Sequence, residues 1–172
     1  MKIMAVDFGD SRTGIAICDR GELLASPVCV IEEKHFPTTV QKTAQQAQEQ
    51  GVERIVVGHP LNMDGTRGPR AEKAEGFAEM LREATSLPVT LWDERRTTVD
   101  AHNILLGNGK RAKERKKTVD AVAASLILEG YLGYLRNHPE YKDKTIYFGP
   151  MGCRTGFYLI LAGDLESKDI VD

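Results

Sequence analysis

Residues 2–31 read KIMAVDFGDSRTGIAICDRGELLASPVCVI, three apolar runs broken only by short polar turns. The first run, 2–8, reads as a strand closed by the Gly9-containing turn GDSR. The second, 13–19, and the third, 23–31, follow as strands joined by a short turn at Arg20–Gly21. Pro27 has no backbone N–H to give to a ladder, so the third strand must lie at an edge or bend there. Strands joined this closely predict an antiparallel meander.

Downstream the pattern changes. Residues 38–50 are long, polar and rich in Gln and Ala, a helix that Gly51 stops. ERIVVG (53–58) is a short buried strand, and HPLNMDGTRG (59–68) is a loop by its Pro, Asn and Gly content. Pro69 opens a helix over 69–84, in which Ala71, Ala74, Phe77, Ala78 and Leu81 recur at helical spacing. LPVTLWDE (87–94) is a further strand, 97–106 a short helix, and Thr118 caps a helix running to about Arg136. The order βββαβαβαα predicts an α/β domain: a mixed five-stranded sheet flanked by helices, with the meander along one edge.

The chain has 172 residues, 41% hydrophobic and 28% charged, which suits one soluble domain with a sizeable core and excludes a disordered chain. No run of eighteen apolar residues exists, so no membrane partner is expected, and the acidic start MKIMAVDFGD does not read as an export signal. Cys18, Cys29 and Cys153 are too few and too scattered for a metal site or a disulfide framework, and reduced thiols in a cytoplasmic protein are expected. A net charge of −2 argues against indiscriminate nucleic-acid binding. Charge is nonetheless clustered in KRAKERKK (110–117), where Lys110, Arg111, Lys113, Arg115, Lys116 and Lys117 form either a solvated loop or a phosphate contact.

Three acids stand out. Asp7 closes an otherwise apolar strand, where a carboxylate is costly unless paired, hydrogen-bonded or bound to a metal; capping the Gly9 turn is the plainer role. Asp93 and Glu94 end another apolar strand, where ligands gather in α/β sheets, and strand alternation sends them to opposite faces without saying which one meets Asp7. Asp120 shares a helix face with Ala123, Ala124, Ile127, Leu128 and Tyr131, although an acid near a helix N-terminus also suits the dipole. Three carboxylates on three elements suit a hard cation, Mg²⁺ or Mn²⁺, and two such ions about 3.5–4 Å apart can support phosphodiester hydrolysis.

The strings AVDFGDSRTGIAICD, GVERIVVGHPLNMDGTRGPRAEKAEGFAEML, WDERRTTVDA and KKTVDAVAASLILEGYL together resemble the YqgF (RuvX-like) family. The resemblance covers residues 1–137 and implies a ribonuclease H-like fold. It also implies a nuclease of structured nucleic acid, either one that trims the 5′ end of pre-16S rRNA in ribosome biogenesis or a Holliday-junction resolvase. It places the catalytic and metal-binding acids on Asp7, Glu94 and Asp120, choosing Glu94 over Asp93. The family loop PLNMDGT falls on residues 60–66, making Asn62 and Asp64 substrate-binding candidates beside a plain tight-turn role. Arg95 becomes a candidate phosphate fork or ion-pair partner. His59 stands where members commonly carry Leu, and Arg96 where an apolar residue is usual. Two other classes compete: a non-catalytic nucleic-acid or ribosome-assembly binder, and a fragment of an actin-like ATPase, whose first phosphate-binding hairpin DFGDSRTGIAICD also resembles. Whether the protein is a monomer or a homodimer stays open.

Residues 138–172 lie outside that pattern. GPMGCRTGFYLILAG resembles the reactive-cysteine segment of S-ribosylhomocysteine lyase, with Cys153 at the cysteine position. That enzyme also needs an HxxEH helix and a later cysteine, and neither is present, so its activity is expected to be absent. About 35 residues cannot bury an independent core. The segment is read as a foreign tail, with a genuine appendage as the alternative, and IYF and GFYLILAG are strand candidates, exposed or added to a sheet edge.

Overall fold

The fold is described from a computed structural model over residues 1–19, 21, 24–94, 112–137, 146–149 and 158–161, with 112–118 and the last two segments as backbone. The meander forms as its sequence predicts. β1 (Ile3–Asp7), β2 (Arg12–Cys18) and β3 (Ala25–Glu32) pair antiparallel in succession. β3 is an edge strand, and its ladder slips at the proline: Ile15 faces Cys29 whereas Ala16 faces Pro27, leaving Val28 as the extra residue of a bulge.

The parallel half is built by α1 (Phe36–Gln50), β4 (Arg54–His59), α2 (Pro69–Thr85) and β5 (Val89–Asp93). Gly51 stops α1 in the left-handed region at φ 64°, where its N–H reaches the carbonyls of Ala47 and Gln48. β4 lies parallel to both β1 and β5, so the five strands run in the order β3-β2-β1-β4-β5. Every anticipated contact residue of α2, from Ala71 to Leu81, is buried.

Alternation along the strands sorts the core into two layers. Met4, Val6, Ile55, Val57 and Val89 pack with α1 and α2, while Ile3, Ala5, Val56 and Trp92 pack on the opposite face. That second face is covered by α3 (Ala112–Asn137), through Ala124, Ile127, Leu128, Tyr131 and Leu135. Each large side chain fully buried in this way contributes roughly 1.5–3 kcal/mol.

α3 corrects three expectations. It begins at Ala112, so Thr118 lies inside the helix rather than capping it, and residues 112–117 are helix rather than loop. Ala, Lys, Glu and Arg are all strong helix formers, and nothing in that run breaks a helix. Ala123 is only partly buried; the face against the sheet is carried by Ala121, Ala124, Ile127 and Leu128 instead. The short helix expected over 97–106 lies outside the described residues.

In the tail, β6 (Ile146–Gly149) and β7 (Tyr158–Leu161) pair antiparallel as a separate two-stranded sheet, with β6 alongside β5. Cys153 lies outside the described residues. Cys18 and Cys29 are not joined in a disulfide, and Cys18 is buried beneath α3. Among the described residues no helix is long and apolar enough to cross a membrane.

Candidate active site

Asp7 is the last residue of β1, and its face follows from its neighbours. Ile3 and Ala5 sit under α3, so period-2 alternation puts Asp7 on the same face. Phe8 faces the other way, stacked on Phe77 of α2 at 4.5 Å between ring centroids. The same rule now separates Asp93 from Glu94. Trp92 packs under α3 and Leu91 against the α1–α2 layer, so Asp93 turns toward His59 and Glu94 toward α3.

Two glycines let the acids approach one another. Gly14 pairs with Asp7 across β1 and β2. A Cβ at Gly14 would stand 2.0 Å from the backbone oxygen of Asp120, so α3 presses directly on β2 at this point. Gly58 pairs with Trp92 in β5, and a Cβ there would stand 2.3 Å from Oε1 of Glu94. The Glu94 carboxylate thus lies over the bare backbone of β4. Neither glycine was among the residues singled out from sequence; their signal is Gly inside a strand, which marks a close backbone approach.

The electrostatics follow from this crowding. Burial, then the negative charges of Glu94 and Asp120, push the Asp7 carboxyl up to about 7, with Arg70 opposing them. Burial also raises the Glu94 carboxyl, while Arg70 opposes it and Asp93 adds to it. Asp120 lies in the third turn of α3, beyond the reach of a first-turn dipole effect, so the dipole does not account for it. Its carboxylate is instead met by Arg12, Nε to Oδ2 at 3.1 Å. Among the described residues no three acid, His or Cys side chains are drawn close enough to hold a metal ion as they stand.

Cations rim the group. Lys73 Nζ reaches Asp10 Oδ1 at 3.1 Å, which ties the first turns of α2 to the β1–β2 turn and carries Arg70 toward the acids. Neither Arg12 nor Arg70 was singled out from sequence, because isolated arginines on separate elements carry no local pattern.

The other candidates divide. Asn62 and Asp64 are engaged within their own loop: Asn62 Nδ2 donates to Thr66 Oγ1 at 2.9 Å, and Asp64 Oδ1 accepts from the backbone N–H and hydroxyl of Thr66. Gly65 completes the turn at φ 87°. The loop is anchored to α2, because Arg67 forks onto Glu75 and Glu75 accepts from buried His59 Nε2 at 2.7 Å. Burial lowers the His59 pKa despite Glu75, so the ring is neutral near pH 7, with its proton on Nε2 and Nδ1 bare. Lys113, Arg115, Lys116 and Lys117 lie on the first turns of α3 by backbone, whereas Arg95, Lys110 and Arg111 lie outside the described residues.

A family model described as RuvX, Holliday junction resolvase, matches residues 1–134. A second, for S-ribosylhomocysteinase (LuxS), matches only residues 117–172. A Desulfitobacterium hafniense protein named "Putative pre-16S rRNA nuclease" is 43% identical over 136 residues, covering 79% of this chain and 94% of its own length. A protein of the same name from Halothermothrix orenii is 42% identical over 134 residues, covering 78% and 96%. Among solved structures, Thermus thermophilus RuvC in complex with Holliday junction substrate aligns with a TM-score of 0.55 at 13% identity, over 78% of this chain and 96% of that one. The fowlpox virus resolvase in complex with junction DNA aligns with a TM-score of 0.50 at 12% identity, over 78% and 99%. These two carry the fold, and with it the ribonuclease H-like arrangement of the mixed sheet. The family model and the relatives together carry the membership: this chain belongs to the RuvX family.

Proposed function

We propose that this chain is a metal-dependent nuclease that hydrolyses phosphodiester bonds in structured nucleic acid, with the 5′ leader of pre-16S rRNA as substrate, in the cytoplasm. The activity resides in residues 1–137, and the tail 138–172 takes no part in it. The observation that supports this most is the shared face of Asp7, Glu94 and Asp120, where burial, and then the charges of Glu94 and Asp120, lift the Asp7 carboxyl to about 7. Structural acids are spaced or paired to avoid that cost; a cation-binding group incurs it.

The donor set fits a divalent ion. It is made of carboxylate oxygens alone, as Mg²⁺ and Mn²⁺ prefer, and with Asp7 and Glu94 crowded on one face a divalent charge would relieve their repulsion. Asp7, Glu94 and Asp120 would hold it. When bound, such an ion activates water and offsets the charge building on the phosphate. Asp7, rigid at a strand end, fixes the position of the group. Glu94, whose carboxylate lies over Gly58, brings a second set of oxygen donors to the same face. Arg70 lowers the cost of gathering the acids and offers a guanidinium to the incoming phosphate.

The test is cleavage of a labelled pre-16S leader and a four-way DNA junction side by side, in Mg²⁺, Mn²⁺ and EDTA, by wild type and Asp7→Asn. The leader is cut only by wild type and only with metal, while the variant still binds it. Turnover by Asp7→Asn at the wild-type rate, or cleavage in EDTA, removes the mechanism. The family description favours one second reading, junction resolution; cutting of the junction with the leader left intact would establish it instead.

A further inference from the structure

We propose that Arg12 supplies the positive charge at Asp120 when no metal is bound, and is released to a substrate phosphate when a divalent ion takes its place. The inference rests on the metal-dependent reading above and deepens it. Arg12 opens β2, and Ala16 and Cys18 further along the strand pack under α3. By the two-residue period Arg12 and Gly14 point to that face as well, the face of the three acids. Its Nε lies 3.1 Å from Oδ2 of Asp120.

A carboxylate oxygen held by a guanidinium is not available to a second cation, and the two positive charges repel. The pair joins two partly exposed side chains, an arrangement in which an ion pair is weak and readily exchanged. Loss of Asp120 would leave the arginine fork at the rim of the acid group, where a nucleic-acid phosphate must pass for its ester to be cut. The planar fork suits a phosphate better than one carboxylate oxygen does. Arg12 would thereby couple the two binding events, because the ion that takes Asp120 frees the group that holds the substrate.

Calorimetric titration with Mn²⁺ at pH 8 tests the exchange, using wild type, Arg12→Gln and Arg12→Lys, each checked by its melting temperature. Removal of the competing charge should tighten Mn²⁺ binding by about two- to fivefold in Arg12→Gln, while Arg12→Lys stays within about twofold of wild type. The second arm is binding of the leader RNA in EDTA and in Ca²⁺. Arg12→Gln should bind like wild type in EDTA, where the arginine is occupied, and about threefold or more weakly in Ca²⁺. Unchanged or weaker Mn²⁺ affinity in Arg12→Gln overturns the exchange, as does an equal RNA defect in both conditions. Absence of any Mn²⁺ binding in wild type overturns the metal-dependent reading itself, a result separable from the other two.

Discussion

The Cβ that Gly14 lacks would stand 2.0 Å from the backbone carbonyl oxygen of Asp120. The strand and the helix therefore meet backbone to backbone, and the helix carries its acid down to the level of Asp7. Gly14→Ala forces α3 to lift, because a backbone oxygen has no rotamer by which to yield. The expected cost is about 1–3 kcal/mol or more by chemical denaturation, together with loss of cleavage. Wild-type stability in that variant would mean that α3 does not press on β2.

Gly58→Ala should behave differently. Its nearest neighbours would be the ends of side chains, Glu94 Oε1 at 2.3 Å and Ile127 Cδ1 at 2.7 Å, which can swing aside. Stability should fall by about 1 kcal/mol, while displacement of the carboxylate by ~1 Å lowers kcat by as much as ~100-fold. Comparison of melting temperature with single-turnover rate decides it. Normal turnover would show that Glu94 is not needed where it lies.

The Asp7 carboxyl sits at about 7 in the fold against 3.8 when unfolded, so the folded state holds the proton more tightly. Stability of the metal-free protein should therefore fall as pH rises from about 4 to 7, and the loss should persist above 7. Asp7→Asn removes that dependence. At pH 8 in EDTA the variant should be more stable than wild type by on the order of 2 kcal/mol, although it is inactive. A wild-type-minus-variant stability curve that is flat across this range would contradict the burial of Asp7 beside the other acids.

His59 has the opposite sign. Its folded pKa lies below the usual 6.5, so the unfolded chain takes up a proton first, and stability is lost as pH falls below about 6.5. His59→Leu should abolish that part of the acid sensitivity while Arg67 keeps hold of Glu75. Melting temperatures of the two proteins between about pH 7.5 and about pH 5 check it. Parallel curves would show that the ring is not held neutral.

Replacement of the cations of 110–117 by Ala should weaken leader binding. The slope of log affinity against log salt should become shallower by about 0.7–0.9 for each removed cation that meets a phosphate. An unaltered slope would place the nucleic acid elsewhere.

Much of the fold is legible because local signals agree with one another. Pro27 marks the edge strand, Gly51 the end of α1, and the Ala71–Leu81 spacing the buried face of α2. The start of α3 is not legible in the same way, since a run of Lys and Arg reads equally as a charged loop or an exposed helix, and only hydrogen bonding distinguishes them. The loop Asn62–Thr66 is ambiguous for a similar reason: its polar groups suit a ligand as well as their own backbone, and they are engaged in the loop.

By itself the sequence determined the order and type of the main elements, because periodicity, glycine and proline act over a few residues. It also singled out three acids that are expensive to hold in apolar surroundings. Strand alternation alone did not say which of two adjacent acids faces Asp7; the family resemblance pointed to Glu94, and in three dimensions Trp92 packs under α3 and turns Glu94 with it. The pairing of Arg12 with Asp120, over a hundred positions along the chain, was likewise invisible, as was the need for bare backbone at Gly14 and Gly58. Such relations depend on how sheet and helix stack, and no spacing along one strand encodes what lies across the layer from it.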